Sequence, residues 1–331
     1  MSHPEPRIFF VCYPDTNHTI GGVKQIYRQV EILHRHGIAA WVLQEQPGFR
    51  ADWFASEAPV IDLESLRQLE LSADRDLIVL PETWLQNIPG YFPGVPKVIF
   101  NQNAFYTFGL GGRVDERTLL LYRHDDLRAV VTVSHDNARF LVEGCGYPAE
   151  RCHTVLNGLD GELFYPPERK MRRILFLGRK HADHARTLML MAQTRPALQR
   201  YAFRELGRVS HSELAQELRD ALVYLSCGHP EGFGLPLAEA IACGCICVGY
   251  HGLGGRDFCR PALHEVEFGD LLGFLDALEQ ALLAFEQDPQ THTQRLLDHA
   301  LRIRERYAPD REQEQAIRVW SSLLSAPTAA G

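Results

Sequence analysis

The sequence predicts two open, doubly wound α/β domains in tandem. Three observations carry that reading. Short apolar runs alternate with longer segments of helical period; the alternation is interrupted once by a proline-containing charged stretch; and a fresh series starts beyond it. At about 100–200 residues per domain, the 331-residue chain has room for two cores.

Residues 7–13 (RIFFVCY) read as the first strand. Residues 22–37 then show helical periodicity through Val23, Ile26, Tyr27, Val30 and Leu33, with Gly37 as the stop. Residues 39–43 form a second strand, and residues 77–80 (LIVL), 97–100 and 129–133 (AVVTV) are apolar runs of the buried parallel type. Residues 165–173 (YPPERKMRR) read as a linker. Beyond it, strands are predicted at 173–177, 203–207, 221–226 and 246–250. Helices are predicted at 183–194, from 212, at 236–243, at 271–286 and at 310–324, the last with Asp310 as its N-cap.

Composition excludes several classes. The net charge is −8, and the N-terminal half also carries more acidic than basic residues, so bare nucleic acid is not an expected partner. A strongly basic membrane-docking face is disfavoured too, which leaves room only for a small local patch. No apolar stretch approaches the roughly 20 residues of a membrane span. Residues 1–15 lack the features of a signal peptide, so a cytoplasmic location is expected. None of the eight cysteines forms a CxxC pair. Cys243, Cys245 and Cys247 alternate and share a face if extended. The alternative to a metal or redox site there is a set of small buried hydrophobes in a reducing compartment, and this is the preferred reading.

Residues 228–244 (GHPEGFGLPLAEAIACG) are the most informative stretch. Glu231 opens a glycine-rich turn, Pro236 suits a first helical position, Glu239 is expected in the first helical turn, and Gly244 ends the helix. Two carboxylates and a row of backbone N–H groups at one helix N-terminus suit a polyol carrying a diphosphate.

This run resembles the signature of the retaining glycosyltransferases of family four, the large GT-B family that counts sucrose and glycogen synthases among its relatives. The pattern EGFGLPxxEA is complete from Glu231 to Ala240. The resemblance implies a GT-B fold: two Rossmann-like doubly wound domains facing a central cleft. Residues 1–165 would form the acceptor-side domain and residues 166–309 the nucleotide-sugar donor domain. Residues 310–325 would be a helix returning to the first domain, anchored by Trp320.

It further implies that Glu231 faces the donor sugar, that the amides of Gly232, Phe233, Gly234 and Leu235 hold sugar and phosphate, and that Glu239 binds the ribose hydroxyls. Gly21 and Gly22, ahead of Val23 and Lys24, are similar to the family's N-terminal glycine loop. Residues 129–134 and 157–166 resemble the last N-domain strand and the entry to the linker, with Asn157 and Asp160 read as turn residues. Residues 246–257 resemble the strand and loop after the signature helix. The nucleotide sugar is a substrate, the acceptor is unspecified, and no cofactor or essential metal is implied.

Two departures stand out. The family commonly spaces an Arg and a Lys after the first C-domain strand to hold the diphosphate; here Arg179 and Lys180 are adjacent. Many relatives place a His after the strand that here is 97–100, whereas this chain reads Asn101-Gln102-Asn103. Asn101 and Asn103 can position sugar hydroxyls but cannot serve as general bases, which suits a mechanism in which the departing phosphate takes the acceptor proton. His124 and His135 read as surface or structural residues. Asp74-Arg75-Asp76 spells DxD, but its place just before a strand points to turn chemistry, not a metal site.

The rival readings are a GT-B-shaped UDP-sugar epimerase, a non-catalytic nucleotide-sugar-binding module and a nicotinamide-dependent dehydrogenase. The complete signature favours transfer. A binding module would be expected to lose Glu231, Arg179 or the glycine pair. A dehydrogenase needs GxGxxG, where this chain reads TIGGVKQ.

Overall fold

The computed structural model describes residues 5–17, 20–109 and 116–325. The chain divides into two compact units, Met1–Leu156 with Glu312–Gly331, and Asn157–Arg311.

Unit 1 is built on seven parallel strands. In chain order its elements are β1 (Arg7–Val11), α1 (Gly21–Arg35), β2 (Ala39–Gln44), β3 (Val60–Asp62), α2 (Leu63–Gln68), β4 (Asp76–Pro81), β5 (Lys97–Asn101), α3 (Thr118–Leu121), β6 (Leu127–Thr132), α4 (His135–Arg139) and β7 (Cys152–Thr154). The sheet order β3-β2-β1-β4-β5-β6-β7 reverses direction between β1 and β4. The central strands β1, β4, β5 and β6 carry apolar runs because both sheet faces are covered there. Phe9, Val11, Ile78, Leu80 and Ile99 share one core cluster.

Unit 2 continues with β8 (Met171–Leu177), α5 (Ala182–Met191), β9 (Ala202–Leu206), α6 (His211–Asp220), β10 (Ala221–Ser226), α7 (Leu235–Ala242), β11 (Ile246–Gly249), β12 (Leu263–Glu265), α8 (Leu271–Gln287) and α9 (Pro289–Arg306). Its parallel sheet runs β12-β11-β10-β8-β9 and reverses between β8 and β10. In open α/β sheets, ligands bind beyond the carboxyl ends of the strands at such a reversal.

The last helix, α10 (Pro309–Ser325), contains the division between the units. Its Trp320 is fully buried against Phe10, with ring centroids 4.9 Å apart, and its Nε1–H donates to Gln29 Oε1 at 3.0 Å. Arg28 forms an ion pair with buried Glu312 of the same helix.

Several sequence expectations need correction. Gly21 and Gly22 are the first two residues of α1 and not a loop before it. Asp310 follows Pro309 inside α10 and is not its N-cap. α7 begins at Leu235, which puts Glu239 just past the first turn. The second half of the DxD triplet is consumed by structure: Asp76 is buried and accepts from Arg7 at 2.7 Å and from the Ser72 N–H at 2.7 Å. Asp160 is a turn residue as expected, its carboxylate capping the N–H groups of Glu162 and Leu163. All eight cysteines are free thiols. Cys243, Cys245 and Cys247 are buried, and burial pushes their thiols up, away from the reactive thiolate.

Candidate active site

The reversal between β8 and β10 brings together residues far apart in sequence. β8 ends at Leu177 and releases Arg179 and Lys180; β10 ends at Ser226 and releases the turn that carries Glu231. Glu231 meets both cations, with Oε1 3.3 Å from Arg179 and Oε2 3.1 Å from Lys180. Lys180 Nζ also donates to the carbonyl of Pro230 at 2.6 Å. The adjacent placement of Arg179 and Lys180 thus lets both reach one carboxylate. These residues line one concavity of unit 2 together with Gly228, Gly234, Pro236, His251 and Gly252.

The Glu231 turn is fixed from behind by the loop after β11. Its N–H donates to Gly252 O at 2.6 Å, and its carbonyl accepts from Gly254 N–H at 3.0 Å. The approach is so close that a Cβ on Gly254 would lie 2.2 Å from Gly232 O. Between these glycines Leu253 holds φ 78° and ψ −67°, the strained three-residue turn that costs a non-glycine residue on the order of 1–3 kcal/mol. Strain of this kind persists only where surrounding hydrogen bonds over-determine it, as they do here.

Gly234 caps α7 with φ 91°, a left-handed conformation that favours glycine. The N–H groups of Phe233, Gly234 and Leu235 have no acceptor among the described residues, so they form a donor row at the positive end of the helix. The Phe233 ring itself is buried between Phe258 and Tyr307, so this residue offers its backbone and not its side chain. Glu239 is buried, with Oε1 3.3 Å from His211 Nε2. The sequence reading missed His211. Its nearness to Glu239 is created only by the packing of α6 against α7, and no motif marks it.

In unit 1, Asn101 is fully buried. Its amide donates to Thr107 Oγ1 at 3.2 Å, and no surface of it is offered to a ligand. Asn103 is also buried, and its side chain caps the N–H of Phe105. The amide of this triplet that meets the glycine pair is Gln102, which donates to Gly22 O at 3.0 Å; a Cβ on Gly22 would lie 3.2 Å from its amide nitrogen. Gly22 therefore answers to close approach within a helix.

Behind the triplet, Glu82 is buried and accepts from the Gln102 N–H at 3.1 Å. Burial pushes its carboxyl up to about 7, against 4.5 for an ordinary glutamate; the backbone N–H groups of Gln102, Glu82 and Asn103 offset only part of this. The folded state thus holds this proton more tightly than the unfolded chain. Glu82 adds stability below pH 4.5, and that contribution is lost as pH rises through 7. At 1.36 kcal/mol per pKa unit the full difference is about 3 kcal/mol. Urea unfolding at pH 5 and pH 8 should show Glu82→Gln gaining stability relative to the parent chain at the higher pH. Equal pH dependence in both proteins would refute it.

Residues 184–266, which include Glu231 and Glu239, match the family described as glycosyl transferases group 1. No curated protein matches the chain. Among solved structures, sucrose-phosphate synthase from Thermosynechococcus elongatus is similar with a TM-score of 0.71 at 16% identity, over 98% of this chain and 100% of that one. HepE from Anabaena in complex with UDP gives 0.69 at 15% identity, over 96% and 100%. The pneumococcal O-GlcNAc transferase GtfA in complex with UDP and GlcNAc gives 0.71 at 10% identity, over 98% and 100%. These likenesses show the fold: two parallel-sheet α/β domains of the GT-B class, as the sequence predicted. The family match and this fold together support a glycosyltransferase.

Proposed function

We propose that this protein transfers a sugar from a nucleotide-sugar donor to an acceptor with retention of configuration. One observation carries the reading: a carboxylate, two cations and the capping Gly234 at the start of α7 line one concavity at the reversal of the unit 2 sheet. Bond breaking at the sugar leaves positive charge on the ring and negative charge on the diphosphate. Arg179, Lys180 and the N–H groups suit the second, and Glu231 suits the first. Before the donor binds, the carboxylate and the cations neutralise one another; a diphosphate competes for the cations and frees Glu231 toward the sugar. Glu239 holds the ribose in this reading, and unit 1 takes the acceptor.

The transfer step calls on no metal, because the two cations meet the leaving-group charge. Among the described residues no helix is long and apolar enough to cross a membrane. A cytoplasmic setting suits eight free thiols.

Two structures similar to this one hold UDP, so UDP-sugars are the first donors to test, beside GDP- and ADP-sugars. A donor at one hundred times its Kd should stabilise the fold by about 2.7 kcal/mol, read as a rise in Tm. No shift with any of the three nucleotide classes would count against the donor assignment. With a working pair, NMR of the first-formed product should show the anomer of the donor; an inverted anomer would reject retention.

A further inference from the structure

We propose that His181, Asp183 and His184 bind a divalent transition-metal ion of the Zn²⁺ or Co²⁺ type, which clamps the start of α5 behind Arg179 and Lys180. One ligand atom from each of the three lies within 4.8 Å of the other two. Donors set about 2.0–2.2 Å from a tetrahedral zinc ion lie roughly 3.4 Å apart, so small side-chain adjustments close the site.

The second observation concerns the hydrogen bond that one nitrogen of each imidazole makes. His181 Nε2 lies 3.0 Å from the carbonyl of His229, which can only accept, so this nitrogen carries the proton and Nδ1 keeps its lone pair. His184 Nδ1 lies 2.9 Å from the Tyr250 hydroxyl, whose oxygen also accepts from the Gly269 N–H at 3.3 Å. The Tyr250 hydroxyl can pair with either tautomer; in the one the proposal uses, Nδ1–H donates to that oxygen and His184 Nε2 is the ligand atom. Metal-binding histidines are held in this way: the distal N–H is tied to a carbonyl or hydroxyl, which fixes tautomer and ring orientation. Phe268 covers the group, with ring centroids 4.9 Å from His181, 5.7 Å from His184 and 4.3 Å from His229.

The backbone adds a third observation. His181 caps α5 in the left-handed region, φ 54° and ψ 33°, and its side chain makes no capping hydrogen bond. A non-glycine residue there costs about 1–2 kcal/mol, for which ligation supplies a reason. Asp183 is exposed in the first turn of α5, and its carboxylate has no hydrogen bond or ion pair among the described residues. Two imidazoles and one carboxylate favour zinc-like ions over magnesium or calcium. The nearby cations Arg179 and Lys180 oppose a metal, and Glu231 offsets one of their two charges.

The site is independent of the transfer reading, because its test needs neither donor nor acceptor. The full chain, stripped with EDTA, is titrated with Co²⁺ and read by its visible d–d absorption, and with Zn²⁺ in competition with a chromophoric chelator. One ion per chain with a tetrahedral Co²⁺ spectrum is expected. His184→Gln and Asp183→Asn should each weaken binding at least 10-fold. Tyr250→Phe, which removes the hydroxyl behind His184 and with it the acceptor of the Gly269 N–H, should weaken it about 10–100-fold. Asp183→Asn alters an exposed side chain, so it stays informative if a histidine variant misfolds. Binding of no stoichiometric ion overturns the proposal. So does an ion whose affinity Asp183→Asn leaves unchanged, since the chain's other histidines would then be holding it.

Discussion

Replacing Glu231 with glutamine should lower kcat by about 10²-fold or more while leaving the fold intact. The amide keeps the volume of the side chain and removes its charge, so the change tests electrostatics alone. Removing one preorganised electrostatic contributor to a transition state costs on the order of 10²–10³ in kcat. The parent carboxylate sits 3.3 Å from Arg179 and 3.1 Å from Lys180, partly exposed, so its loss removes the countercharge of two cations without opening a core cavity. Glu239→Gln makes the contrast. Glu239 is buried beside His211, and its proposed hold on the ribose is the same in ground and transition states. Its loss should raise KM with less effect on kcat. Donor affinity by calorimetry separates the two. Near-normal turnover in Glu231→Gln, with turnover abolished and donor affinity unchanged in Glu239→Gln, would reverse the roles. Full activity in both variants would reduce the segment to a capped helix.

Truncating Trp320 to alanine should cost about 3–5 kcal/mol of stability, the range for emptying a large aromatic from a core. The ring is fully buried against Phe10 and Phe100, and its loss also strips the Gln29 amide of a hydrogen-bond partner. Trp320→Phe keeps most of the packing and loses the N–H, so about 1 kcal/mol is expected. Urea unfolding followed by far-UV circular dichroism reads both, since Trp fluorescence changes with the substitution itself. A cost below 1 kcal/mol for the alanine variant would mean that α10 does not rest on this side chain.

The long elements of both sheets were legible because burial on two faces writes continuous apolar runs, as in LIVL and RILFL. The three strands that went unread, β3, β7 and β12, have three residues each and largely half-buried or exposed positions, so they leave no such run. Helix α9 went unread because only Ala300 and Ile303 among its eighteen residues are buried, too few to mark a face. The glycine pair at 21–22 was misplaced into a loop because glycine is a poor helix former. Within α1, Gly22 meets the approach of Gln102, eighty residues away, which no local pattern shows.

The same division holds at the site. Sequence alone determined that Glu231, the glycine turn and the helix of Glu239 belong together, because they are local and their spacing is their chemistry. Only the tertiary structure decided that Arg179 and Lys180 share the carboxylate of Glu231, that His211 meets Glu239, and that Asn101 is enclosed while Gln102 reaches the glycines. Each of those pairings is made by strand order and helix packing, which join positions between which no local propensity or period runs.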